Sequence, residues 1–424
     1  MELLRLGSRG PDVELLQTAL TRARHFWGVI DGIFGPVTRR GTLDFQNANR
    51  LTTDGLVGPV TWAALHPYLT GYIRRTIAPG DTISDLARQN NTTIGAITTA
   101  NPGLGATNLP IGEQIVIPLD FDVVPTNISF TYNLLTFCVE GLRARYPFIE
   151  TNVIGSSVLG KPIHALAIGK GQNQVMYNAS HHANEWITTP VVMRFIEEYA
   201  AIYAGLDLPM LRPVYADMYE KSTIYIVPMV NPDGVDLVTG AYAPGSDVYE
   251  ALKTMNYLRL PFPGGWKANA RGVDLNLQYP ATWDLAKEIK FAQGFTKPGP
   301  RDYVGEHPLS EPESIAMAEF TRAHDFRLTL SYHTQGEVIY WRYRDFLPPQ
   351  SEEIAKLFTR VSGYLHVQTP YLSDNAGYKD WFIKEYNRPG YTIECGLGVN
   401  PLPISQFGRI YRDNIGILTL AAFV

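Results

Sequence analysis

The stretch "YNASHHANEW", residues 177–186, places His182 and Glu185 three positions apart just after a short apolar run. Upstream, "QVMYNA" at 174–179 is a strand candidate. Downstream, "TTPVVMRFIEEYAAIY" at 188–203 sets Val192, Phe195, Ile196 and Tyr199 at helical spacing, with Pro190 in the first turn, where proline is tolerated. The pair therefore falls in the turn between a strand and a helix. His-x-x-Glu alone arises often by chance, so a metal site requires further donors from elsewhere.

Two more strand candidates reach polar residues in the same way. "RLTLSY", 327–332, runs into His333, and "GYTIECG", 390–396, contains Glu394. Across the last 300 or so residues, β-rich runs alternate with helical patterns, which predicts an α/β sheet covered by helices. In such sheets ligands collect in the crevice beyond the strands' carboxyl ends, so residues far apart in sequence can converge there. Two histidines and one carboxylate offer a catalytic zinc ion three ligands and leave a fourth position open. Glu394 is then the candidate for proton transfer, since a carboxylate that also ligated the metal would be less free to move protons. A helix is expected from "SEPESIAMAEF", 310–320, with Ser310 and Glu313 forming a capping box.

With 424 residues, 45% of them hydrophobic, the chain has material for two or three domains and a large core. A net charge of −5, a pI near 6.0 and no Lys/Arg-rich block argue against nucleic acid as a partner. Cys138 and Cys395 are too few for a disulfide framework and wrongly placed for a Cys-rich zinc site. The start lacks a basic segment followed by an apolar stretch, and no 18-residue apolar run occurs. We therefore expect neither a signal peptide nor a membrane span, and either action inside a cell or a leader already removed.

The first 68 residues contain an echo, "DGIFGPVT" at 31–38 and "DGLVGPVT" at 54–61. Each copy is an Asp-Gly turn followed by a proline at a helix's first position. "VELLQTAL" adds a preceding helix with Val13, Leu16 and Leu20 inward, and Leu43, Phe45 and Leu51 extend the small core. Residues 72–119 read as strand, helix, helix, strand, opening at Ile73, Thr76 and Ile77 and closing at "EQIVIPL". "DFDVVPTN", 120–127, reads as a linker.

These segments carry three resemblances. Residues 2–68 resemble the peptidoglycan-binding domain fused to many bacterial wall hydrolases, giving a helical module over 1–69. Residues 72–119, with "GDTI", Asn101 and the closing Ile-Pro, resemble a βααβ LysM domain, which implies binding of N-acetylglucosamine-containing glycans. Residues 125–424 resemble the zinc carboxypeptidases through "HANEW", "NPDG" (231–234), "ARGVDLN" (270–276), "SYHTQG" (331–336) and "YTIECG". That likeness implies an α/β domain with a mixed central sheet, a Zn2+ ion on His182, Glu185 and His333, and Glu394 as catalytic acid and base. It also implies Arg271 as the cation that stabilises the oxyanion, with Lys267 as the fallback.

One position departs from the family. Its exopeptidases have Asn-Arg where this chain has Asn276 and Leu277, and leucine cannot grip a terminal carboxylate. The "GVDLN-x-Q-[YF]-P" form is instead similar to the bacterial γ-D-glutamyl-L-diamino acid endopeptidases, which cut between D-glutamate and diaminopimelate or lysine in peptidoglycan stems. On that likeness Lys379 lines the floor of the leaving-residue pocket, facing the far carboxylate of diaminopimelate. Asn184, Asn276, Tyr371 and Gln335 are further substrate-binding candidates, although for Gln335 and Glu337 a structural role is at least as plain a reading. The family's tyrosine falls at Tyr371 or Tyr378, both expected to be packing residues. His164, His307, His324 and His366 are expected to be structural or surface residues. The alternatives are a carboxypeptidase acting on ordinary peptides and a wall-binding protein without activity.

Overall fold

The computed structural model describes residues 1, 3–105 and 109–424; residue 2, and positions 106–108 of the LysM-like segment, lie outside the described residues. The chain forms two compact units. One is Met1–Glu150 with Glu197–Pro213, and the other is Thr151–Ile196 with Val214–Val424.

In the first unit, helices Pro11–Arg22, Pro36–Ala48 and Pro59–Thr70 each begin with a proline after a glycine. The echoed turns are latched by buried glutamines on the preceding helices. Gln17 Nε2 donates to Asp31 Oδ1, Ile33 O and Thr38 Oγ1, and Gln46 Nε2 donates to Asp54 Oδ1, Leu56 O and Thr61 Oγ1. Repetition of Asp-Gly-x-x-Gly-Pro-x-Thr is thus repetition of one hydrogen-bonded turn. Val13, Leu16, Leu20 and Phe45 are fully buried, as their spacing predicts.

Strands β1 (Tyr72–Thr76) and β2 (Gln114–Pro118) pair antiparallel. Between them lie helices Ile83–Gln89 and Ile94–Ala100, capped by the side chains of Thr82 and Thr93. Asn101 closes this module by donating to Val116 O and accepting from Val116 N–H. The segment 120–127 is not a free linker. Val123 and Val124 are buried, and their N–H groups both donate to the Glu197 carboxylate. A polar, proline-containing stretch looked like a tether because its acceptor lies over 70 residues away.

The second unit is built on a mixed eight-stranded sheet. Its strands are β3 (Glu150–Ser156), β4 (Pro162–Gly169), β5 (Asn173–Ala179), β6 (Ser222–Val227), β7 (Phe326–His333), β8 (Val338–Tyr340), β9 (Leu365–Val367) and β10 (Gly390–Glu394). They run in the order β3-β4-β6-β5-β7-β10-β8-β9, and the central four, β6-β5-β7-β10, are mutually parallel. Buried central strands need apolar side chains on both faces. Met176 accordingly joins Met317 and Trp381 in a cluster with helices Pro312–Arg322 and Tyr378–Tyr386. The next residue, Tyr177, points to the other face and donates its hydroxyl to Leu418 O of helix Phe407–Leu420.

Helix Thr188–Tyr203 forms with Val192, Phe195, Ile196 and Tyr199 all fully buried. The predicted capping box does not form. The helix begins at Pro312 after Glu311, Ser310 Oγ donates to Glu311 and Gln278, and buried Glu313 accepts from Val158 N–H. Proline supplies the helix start, and the carboxylate finds donors in the tertiary structure instead.

Candidate metal centre

Three strand ends set the site. β10 lies beside β7 with Glu394 paired to His333, and β5 ends at Ala179 opposite Tyr332. The chain then turns at Ser180, whose N–H donates to Thr188 Oγ1, bringing His182 and Glu185 back over the ends of β5 and β7. "NPDG" is the brace for this turn: Asn231 Nδ2 donates to His181 O and Ala268 O, while its Oδ1 accepts from Gly234 N–H.

His182 Nδ1 lies 2.9 Å from Glu185 Oε1, His333 Nδ1 lies 2.8 Å from Glu185 Oε2, and the two ring nitrogens are 3.1 Å apart. All three side chains are buried. Tetrahedral nitrogen ligands at zinc bond lengths stand about 3.3 Å apart. The separations therefore fit one small cation shared by the trio. On the other side of His182, Nε2 lies 3.1 Å from Asp274 Oδ1, a carboxylate that orients the ring. Burial alone would raise the Glu185 pKa, but the two histidines outweigh it and hold the group ionised. Burial lowers the His333 pKa; burial also acts to lower His182, but Glu185 and Asp274 outweigh it and raise it. His181 is not part of the trio; its Nε2 lies 3.0 Å from the Tyr279 hydroxyl.

The trio opens on a cleft of about 820 Å³ lined on one wall by Glu394. Burial, followed by repulsion from Glu185, pushes Glu394 up to about 8 against the opposing pull of His182 and Lys267.

With this geometry, the pattern of the zinc carboxypeptidase family matches residues 136–415. The chain belongs to the zinc carboxypeptidase family. Its first unit also matches a peptidoglycan binding domain at 9–65 and a LysM domain at 76–118. It is 43% identical over 297 residues to gamma-D-glutamyl-L-diamino acid endopeptidase 1 of Lysinibacillus sphaericus, covering 70% of this chain and 73% of that one. Bovine carboxypeptidase B is 25% identical over 265 residues, 58% of this chain and 57% of that enzyme. In structure, bovine thrombin-activatable fibrinolysis inhibitor superposes with a TM-score of 0.52 at 20% identity, covering 70% of this chain and 97% of that one, a likeness of fold.

Arg271 is not among the residues that line the cleft; its side chain is 55% exposed and pairs with Glu311 at 3.6 Å. Lys267 lines the cleft and lies 3.5 Å from Asp274. Burial would lower its pKa, but Asp274, Asp302 and Glu185 raise it, so it stays charged. Asn269 explains the difference. Its Oδ1 accepts from the N–H groups of Arg271 and Val273 in a tight turn that carries Arg271 outward.

Asn184, Asn276, Leu277, Gln335 and Lys379 all line the cleft. Lys379 is not a free ammonium. It donates to Arg342 O and pairs with Asp380 at 2.6 Å and Asp374 at 3.8 Å. Tyr378 is buried and bonded to Thr321 Oγ1, so it packs as expected. Tyr371 does not pack; it is 65% exposed at the cleft rim beside Pro370 and Ser373. Glu337 is paired with Arg409. Residue type and spacing carry no separate signal for Asp274, Arg301 or Asp302, although Asp274 lies inside the ARGVDLN motif.

Proposed function

We propose that this enzyme hydrolyses the amide between the γ-carboxyl of D-glutamate and the diamino acid of peptidoglycan stem peptides, with modules at 1–69 and 72–119 holding the glycan and the peptidase spanning 125–424. The observation that carries this reading is Leu277, which occupies the cleft beside Asn276 where a terminal carboxylate would need a charged fork. A pocket without that fork suits a stem that continues past the cut.

His182, Glu185 and His333 would hold a zinc ion, which would supply Lewis acidity toward the scissile carbonyl and a water molecule. Glu394 takes the proton from water and passes it to the leaving amine. Lys267 places its ammonium against the charge that develops on the carbonyl oxygen, the role first expected of Arg271. Asn184, Asn276 and Gln335 offer amide groups to the substrate backbone. The Lys379–Asp380 pair presents both signs of charge, which complements the zwitterionic end of diaminopimelate. Tyr371, exposed between the lining residues Pro370 and Ser373, would cover a bound stem.

Mass spectrometry of digested muropeptides tests the reading. Products ending in γ-D-glutamate are expected, and a chelator should abolish them. Glu394→Gln should keep its zinc yet lose at least about 100-fold in rate. Release of single C-terminal residues from ordinary peptides, with stems left intact, would favour a conventional carboxypeptidase. Full activity in Glu394→Gln would remove that residue from the mechanism.

A further inference from the structure

Beyond the metal trio, the cleft contains three cations grouped around two carboxylates: Lys267, Lys290 and Arg301 with Asp274 and Asp302. Their commitments differ. Lys290 Nζ is locked to Asp302 Oδ1 at 2.6 Å with its side chain only 13% exposed. Lys267 faces Asp274. Arg301 spends only its Nε, which donates to Asp302 Oδ2; among the described residues its two terminal nitrogens make no hydrogen bond. Its side chain is 46% exposed and lines the cleft.

Arg301 is also tied to the metal site. Asp302, which holds it, donates its N–H to Asp274 Oδ2 at 3.3 Å, and Asp274 Oδ1 abuts His182. Burial would lower the Arg301 pKa, but Asp302, Asp274 and Glu185 raise it, so its charge lies within electrostatic reach of a metal ligand. A pinned Nε with a free pair of terminal nitrogens is the arrangement that grips a carboxylate in two-point fashion.

We propose that Arg301 is a specificity-determining residue that binds the free α-carboxylate of the γ-linked glutamyl residue on the acyl side of the cut. This rests on the bond assignment made above. A γ-glutamyl amide differs from an ordinary peptide in carrying a carboxylate four single-bond steps, roughly 5 Å, from the scissile carbonyl. Lys379 has no part in this contact, because its partners are Asp374, Asp380 and Arg342 rather than the Asp274–Asp302 group.

The test compares L-Ala-γ-D-Glu-diaminopimelate with the same tripeptide carrying an α-carboxamide on the glutamyl residue, using zinc-loaded full-length enzyme. Wild type should cleave the amide form with kcat/KM about 10- to 100-fold lower, the range of a lost charge-assisted pair. Arg301→Gln should lose that factor on the acid and leave the amide form unchanged, while Arg301→Lys, which keeps charge but not the fork, should fall between. Equal cleavage of both tripeptides by wild type overturns the proposal without any variant. A parallel loss on both substrates in Arg301→Gln overturns it too, and either result leaves the bond assignment standing. If wild type cleaves neither, the bond assignment fails and this proposal falls with it.

Discussion

Lys267 and Arg271 stand four positions apart on one loop, and of the two Lys267 lines the cleft. Because Lys267 lines the cleft within the field of Asp274 and Glu185, Lys267→Met should lower kcat by about 100- to 1,000-fold, the usual effect of losing an oxyanion donor. Arg271→Ala removes an exposed ion pair with Glu311 and should change kcat/KM by less than about threefold. Steady-state kinetics on a soluble tripeptide checks both, and the reverse order would restore Arg271 to the role. At this scale the metal residues were legible because each follows or ends a predicted strand. Which of Arg271 and its fallback Lys267 lines the cleft was not, because the Asn269 turn that aims Arg271 outward leaves no trace in residue type.

At the scale of elements, the start of helix Pro312–Arg322 is a buried polar junction. Asn269 Nδ2 donates to both Glu311 and Glu313, and Glu313 also accepts from Val158 N–H. Burial pushes the Glu313 carboxyl up to about 7 from an ordinary 4.5, with Asp233 adding to the shift. A folded value above the unfolded one means that the folded state holds its proton longer. The stabilisation is therefore complete below pH 4.5 and is lost as pH rises through about 7, a change of up to roughly 3 kcal/mol. Glu313→Gln should flatten that part of the stability profile, which urea unfolding at pH 5 and pH 8 would detect. An unchanged slope would mean that Glu313 titrates normally. Helical spacing marked this segment as a helix, but it does not encode whether a first-turn glutamate caps its own backbone or reaches the distant turn at Val158.

For the whole molecule, peptidoglycan-binding and LysM domains share one chain with a zinc peptidase. Among the described residues no helix is long and apolar enough to cross a membrane. If the modules hold wall glycan, they raise the local concentration of stem bonds without altering the cleft. A soluble N-acetylglucosamine oligomer should then slow hydrolysis of intact wall by about tenfold or more while leaving cleavage of a free tripeptide unchanged. Equal inhibition of both would locate the competitor in the cleft, and no inhibition of either would remove the tether.

That His182, Glu185, His333 and Glu394 gather at neighbouring strand ends, and that the turns near the N-terminus repeat, follows from the sequence alone. Strand periodicity and turn chemistry are local, and a parallel sheet gathers its strand ends whatever lies between them. Only the tertiary structure decided that Lys267 rather than Arg271 lines the cleft, that Arg301 keeps its fork free, and that Val123 and Val124 are clamped by Glu197. Each of those outcomes depends on a hydrogen-bond or charge partner brought close in space, and local pattern records which face of an element is buried but not which distant group will meet it.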